Sequence, residues 1–182
     1  MKSTMQTDQW NMTYQAGNDF AQLSTSEVSF LLNSLNLKEN SKHLDIGCGT
    51  GALVRDLYMR GFQSIGIDTS KEAIESAIQS VNPSLGEMFF HASVEEVGEC
   101  DFTIITAKYL YKFIDDRDTF LLNVKRILKK DGFFIIIDPV VEHLPEPKKN
   151  IVLPEEVVLG ELSAYFTVSV RKYRKNVYYF AR

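Results

Sequence analysis

The stretch Lys42-His43-Leu44-Asp45-Ile46-Gly47-Cys48-Gly49-Thr50-Gly51, followed by Ala52-Leu53-Val54-Arg55-Asp56-Leu57-Tyr58, decides the fold. Leu44 and Ile46 open it as a short buried strand. Three glycines at alternate positions then permit a tight turn, because a residue without Cβ adopts positive φ and lets a ligand approach the backbone closely. Apolar residues return at helical spacing from Ala52, and Gly61 suits the position just past a helix end. Strand, glycine turn and helix in this order form the ligand-binding corner of a doubly wound α/β sheet. The unpaired N–H groups of the helix start are expected to face that corner.

Composition excludes several classes. A chain of 182 residues, 45% of them hydrophobic and 24% charged, suffices for one globular domain with a full core. A net charge of −4 exerts no general pull on nucleic acid or anionic membrane. Cys48 and Cys100 make no disulfide framework and suit a reducing compartment. The polar start has no signal-peptide core, no run reaches membrane-spanning length, and no metal is called for; a cytoplasmic location is expected.

Gly47-x-Gly49-x-x-Ala52 alone also fits a dinucleotide fingerprint and, with Asp68, permits a nicotinamide-dependent oxidoreductase. Asp45 argues against it, since a carboxylate just ahead of the glycines repels a pyrophosphate and suits a ligand carrying an ammonium group. No Tyr-x-x-x-Lys pair occurs either. The run Leu44 to Gly51 closely resembles motif I of the class I S-adenosylmethionine (SAM)-dependent methyltransferases. The resemblance covers about residues 38–182. It implies a Rossmann-like sheet of seven strands in the order 3-2-1-4-5-7-6, strand 7 antiparallel, with helices on both faces and SAM as cofactor. It also implies that Gly47, Cys48, Gly49 and Gly51 hold the methionine moiety, with Asp45 favouring its ammonium directly or through water.

Further along, Ser64-Ile65-Gly66-Ile67-Asp68 reads as the second strand. Asp68 follows Gly51 by 17 residues, close to the roughly 20-residue spacing of a carboxylate that accepts ribose hydroxyls, and it resembles the family's motif II. Thr69-x-x-Glu72 reads as a capping box for a helix from Lys71 to Ser80, which leaves Asp68 free of that task; Thr69 is grouped with the cofactor site. Glu87 to Ser93 reads as strand three. Ser93 and Val94 stand where the family places an acid and an adenine-packing apolar residue, His91 or Ser93 replacing the acid according to register. Cys100 to Thr106 is strand four, with Thr106 presenting backbone at the methionine end and Lys108-Tyr109 beside the glycine turn. The histidine that the family often carries after strand four is replaced by Tyr111 or Lys112, and its N/D-P-P-Y/F/W motif is absent, which argues against adenine-N6 or glutamine methylation.

A helix from Asp118, a turn at Lys129-Lys130-Asp131-Gly132 and a continuous apolar strand, Phe133 to Asp138, follow. Pro139 to Asn150 is irregular and carries His143; Pro154 to Leu162 suits a last helix. Tyr165–Val170 and Asn176–Phe180 read as a hairpin across Arg171 to Lys175, a basic connector that suits a solvated turn or a phosphate or RNA contact. Ahead of the core, Ser24-x-x-Glu27 caps a packing helix that ends near Asn36. Before it, Trp10, Met12, Tyr14 and Phe20 stand out in a polar segment, either as aromatics of a docked tail or as a lid. Residues 1–37 thus form an N-terminal cap and helix, and 38–182 the SAM-binding core.

Methyl transfer by in-line displacement from a sulfonium needs positioning and water exclusion above all. Tyr14, Lys108, Tyr109 and His143 are the candidates to meet the acceptor. With only about 25 residues between strand five and the hairpin there is no room for a large recognition lobe. A small-molecule acceptor, walled by Trp10, Tyr14, Tyr109 and Tyr111, is therefore expected. An RNA or protein acceptor and a non-catalytic SAM-binding module are the alternatives.

Overall fold

Alternating apolar strands and amphipathic helices wind into one seven-stranded sheet of order β3-β2-β1-β4-β5-β7-β6. The structure, a computed structural model, describes residues 4–18, 22–35, 37 and 40–182. The strands are β1 (Lys42–Ile46), β2 (Gln63–Asp68), β3 (Phe89–His91), β4 (Phe102–Lys108), β5 (Leu128–Pro139), β6 (Val168–Tyr173) and β7 (Asn176–Ala181). The helices are α1 (Thr4–Gln15), α2 (Thr25–Asn33), α3 (Ala52–Met59), α4 (Lys71–Gln79), α5 (Arg117–Ile127) and α6 (Glu155–Ser163). β1 to β5 pair in parallel, and β7 runs antiparallel to both neighbours. Order and strand direction are those the resemblance implies.

Side-chain alternation divides the core. Leu44, Ile105, Phe134, Ile136 and Tyr179 point to one face and pack with Phe120, Leu121, Val124 of α5 and Val158, Leu162 of α6. Ile104, Ile135, Ile137, Tyr178 and Phe180 point to the other, against Leu31 and Leu35. α3 closes that second face through Leu53 and Leu57 against Val28 of α2, and Val54 meets Ile74 and Ala77 of α4. Both faces of the central strands are thus dry, which suits unbroken apolar runs such as Phe133 to Ile137.

Several local expectations are corrected. The first segment is a helix, α1, which packs on α4 and ties Gln15 Nε2 to Glu72 Oε1 at 3.0 Å. Glu72 therefore does not cap α4. Ser70 does, accepting from Ala73 N, and Asp68 Oδ1 accepts from Ser70 N, so Asp68 does serve that helix start. Residues Pro83–Met88 are a 3-10 turn, which shortens strand three. Strand four is shifted two residues toward the cleft. Lys129 to Gly132 belong to β5, entered over an irregular register with Asp131 at φ 66. Arg171 to Tyr173 are strand, and the hairpin turns at Arg174-Lys175 alone. The Ser24–Glu27 capping box is present, Glu27 Oε2 accepting from Ser24 N at 2.9 Å. The helix expected to end near Asn36 ends earlier, at Asn33 with Ser34 as its C-cap; the boundary at Lys38 and the aromatic Phe20 lie outside the described residues.

Candidate active site

The strand order reverses between β1 and β4, and a cleft opens there beyond the C-terminal strand ends, where open α/β sheets take ligands. Its floor is Ile46, Gly47, Cys48 and Gly49 after β1 and Asp68, Thr69 after β2. Ala92, Ser93, Val94 and Glu95 follow from β3, and Lys108, Tyr109 and Leu110 from β4. Phe113, Ile114, Asp115, Asp116 and Phe120 add a wall, and α1 closes the opening with Thr7, Trp10 and Tyr14. Trp10 stands edge-on to Phe113, centroids 5.1 Å apart, which joins α1 to the stretch after β4.

The glycine turn is stitched to β2. Gly47 N and Cys48 N both donate to Ile67 O, at 2.8 and 3.0 Å, and Gly49 N donates to Asp68 Oδ2 at 2.9 Å. The N–H groups of these three turn residues are therefore taken within the chain. The turn offers close approach instead: Gly47, Gly49 and Gly51 have φ 69, 54 and 78. Gly51 does not line the cleft; it is the N-cap of α3, where a Cβ would meet the Phe89 ring at 2.3 Å.

Asp68 sits on the cleft with both oxygens already accepting backbone N–H, so its orientation is fixed while it remains 9% exposed. Asp45 is deeper, 2% exposed and behind the cleft lining. Its Oδ1 accepts from Thr106 Oγ1 at 2.6 Å. Burial pushes the Asp45 carboxyl up to about 6, opposed by the Thr106 hydrogen bond and the Lys108 charge, with Asp68 adding to the rise. Thr106 is wholly buried and meets the site through Asp45 rather than by lining it. Burial also pushes the Cys48 thiol well above its ordinary range, and the two aspartates push the same way, so it is a neutral wall rather than a nucleophile.

The four acceptor-site candidates separate. Tyr14, Lys108 and Tyr109 line the cleft. Lys108 Nζ lies 4.7 Å from the Tyr109 ring centre. Tyr109 is held at φ 57 and donates its hydroxyl to Asn176 Oδ1 at 2.7 Å; Asn176 in turn donates to Glu27 Oε1 at 2.8 Å. Burial raises the Tyr109 hydroxyl to about 12, so it stays protonated at neutral pH. His143 is not brought in: it ends an exposed 3-10 turn, Val141–His143, away from the cleft lining. Tyr111 is no cleft wall either. It is fully buried and donates to Glu161 Oε2 at 2.8 Å, beside the Arg117–Glu161 ion pair. Sequence reading missed Leu110, Phe113 and Phe120 as walls and Asn176 as the anchor of Tyr109; the apolar spacing of Leu110 and Phe113 was the signal available.

The cleft suits SAM on its own chemistry. It places an anionic acceptor at Asp68, the apolar Ala92 and Val94 beside it, and a turn open to close backbone approach at Gly47. The family described as Methyltransferase domain matches residues 44–136. The chain belongs to this family. It is similar to the ubiquinone biosynthesis O-methyltransferase of Bradyrhizobium diazoefficiens, 32% identical over 107 residues, 58% of this chain and 42% of that protein. It is also similar to EEF1A lysine methyltransferase 2 of Danio rerio, 28% identical over 134 residues, 64% of this chain and 56% of that one. The chain thus spans about half the length of these curated relatives. In fold it matches the crystal structure of a SAM-dependent methyltransferase from Aquifex aeolicus with a TM-score of 0.77, at 21% identity over 94% of this chain and 97% of that one. No helix among the described residues is long and apolar enough to cross a membrane.

Proposed function

We propose that the enzyme methylates a small molecule with an apolar, planar body, bound in the α1 side of the cleft. The observation that supports this reading is the wall of Trp10, Tyr14, Tyr109, Leu110 and Phe113 next to the glycine turn. Aromatic walls with few polar groups suit small ligands, and similarity to ubiquinone O-methyltransferases agrees with it. SAM, when bound, supplies a methyl group already activated on a sulfonium. Asp68 would accept the ribose hydroxyls, with Thr69 beside it, and Ala92, Ser93 and Val94 would flank the adenine. Gly47, Cys48 and Gly49 would lie along the methionine, with Asp45 as counter-charge to its ammonium. The chain's remaining work is to orient the acceptor and keep water out. α1 does the second by covering the opening. Tyr14 and Lys108 would meet the acceptor's polar atom, while Tyr109 would serve as a wall, its one hydroxyl proton held toward Asn176.

The test is transfer of labelled methyl from SAM into a cell extract divided into small-molecule, protein and RNA fractions. Label in the small-molecule fraction is expected, with S-adenosylhomocysteine released in equal amount. Label only in protein or RNA would contradict the acceptor reading. Tight SAM binding with no transfer to any fraction would mark a binding module.

A further inference from the structure

A line of polar side chains crosses three strands inside the sheet face that α2 and α3 cover. His43 and Asp45, two apart on β1, point the same way. In the strand register His43 lies opposite Ser64 on β2, and Asp45 opposite Thr106 on β4. His43 Nδ1 is 2.7 Å from Ser64 Oγ, His43 Nε2 is 2.9 Å from Thr106 Oγ1, and Thr106 Oγ1 is 2.6 Å from Asp45 Oδ1. His43 and Thr106 are fully buried, and Ser64 and Asp45 nearly so. An apolar sheet interior is an expensive place for four polar groups unless each is satisfied.

Donor counting fixes the direction of the line. An ionised carboxylate only accepts, so the Thr106 hydroxyl proton points at Asp45. The Thr106 oxygen must then accept from His43 Nε2–H. A neutral imidazole has one N–H, so Nδ1 accepts from the Ser64 hydroxyl. Burial pushes the His43 ring down to about 3, which agrees with the neutral ring this order requires. Every proton is thus passed toward Asp45. The other charges facing that carboxyl are Lys108, which favours the ionised form, and Asp68, which opposes it; the Cys48 thiol beside the turn is neutral.

We propose that His43 is a positioning residue of the cofactor site: acting through the Thr106 hydroxyl, it fixes the Asp45 carboxylate at the methionine end of the cleft. This rests on the reading of Asp45 as partner of the SAM ammonium. His43 touches neither cofactor nor acceptor. Its N–H keeps the Thr106 oxygen occupied, so the Thr106 proton has no better target than Asp45, and a polarised donor holds a carboxylate more firmly than a free one.

The experiment is calorimetric titration of SAM into the full chain between pH 5.5 and 8.5, for wild type, His43→Leu, His43→Gln, Thr106→Val and Asp45→Asn, with thermal melts to verify folding. Wild type should bind and lose affinity as the pH falls through about 6, where Asp45 takes up a proton. His43→Leu should bind about tenfold more weakly at pH 7, the scale of one hydrogen bond to a charged group, and lose affinity at a higher pH than wild type. Thr106→Val should do the same, which keeps the test open if His43→Leu does not fold. His43→Gln, whose amide can donate to Thr106 and accept from Ser64, should restore most of the affinity. Wild-type affinity and pH midpoint in folded His43→Leu or Thr106→Val would overturn the proposal, as would an equal loss at every pH. Undiminished binding by Asp45→Asn would overturn the underlying role of Asp45, whereas absence of SAM binding by wild type would overturn the cofactor site itself.

Discussion

On its β1–β2 side the cleft is shaped by a hydrogen-bonded backbone turn and one fixed carboxylate, Asp68; on its α1 side it is made of side chains. Gly47, Cys48 and Gly49 are bonded to Ile67 and Asp68 of the neighbouring strand, so the shape of that side is fixed by the sheet. The other side is a set of rings and chains, Trp10 and Tyr14 from α1 and Tyr109, Leu110 and Phe113 from the stretch that follows β4. On the proposed reading, the side fixed by strand ends and hydrogen-bonded turns would serve the cofactor, and the side built of exchangeable side chains would serve the acceptor.

If that division holds, the largest effect belongs to Asp68→Ala. The substitution removes an acceptor from both Gly49 N and Ser70 N and leaves two N–H groups unpaired, at about 1–3 kcal/mol each. SAM affinity should fall about a hundredfold in calorimetry, with a lower melting temperature. Gly51→Ala comes next. The residue would sit at φ 78 with its Cβ against the Phe89 ring, and strain plus overpacking should cost about 3 kcal/mol in urea unfolding. On the acceptor side, Tyr109→Phe should cost about 1 kcal/mol of stability through the lost bond to Asn176. The rate profile between pH 7 and 10 should keep its shape, because the Tyr109 hydroxyl is held protonated to about 12. A profile that loses an ionisation in Tyr109→Phe would make this residue a base rather than a wall. The smallest effect is that of His143→Ala, on an exposed turn outside the cleft. Turnover and stability should both stay within about 0.5 kcal/mol of wild type.

The same division decided what could be read from the amino acids. Strand, glycine turn and helix are local and carry their own signals, so the corner at residues 42–58, the acid closing β2, the sheet order and the antiparallel β7 were all legible once motif I was seen. Asp45 was singled out as a counter-charge, but its place behind the cleft lining was not legible, because depth is a tertiary property. His43 passed as a strand residue: its partners Ser64 and Thr106 lie 21 and 63 positions away. Tyr111 and Tyr109 look alike in the sequence, two residues apart, yet one turns into the core toward Glu161 and the other stays on the cleft. The helical state of residues 4–15 was hidden by its polar composition, since α1 has almost no apolar stripe and owes its place to single contacts such as Trp10 on Phe113 and Gln15 on Glu72. The cap of α4 was misassigned by one residue because Thr69 and Ser70 are both good N-caps and only the fold chooses between them.

The most direct measurement is a crystal structure of the full chain with S-adenosylhomocysteine bound. The ribose hydroxyls should lie within hydrogen-bond distance of Asp68, the adenine beside Val94, and the amino-acid end along Gly47 to Gly49 on the side of Asp45. A product lodged outside the cleft, or one whose ribose turns away from Asp68, would contradict the assignment of this corner as the cofactor site.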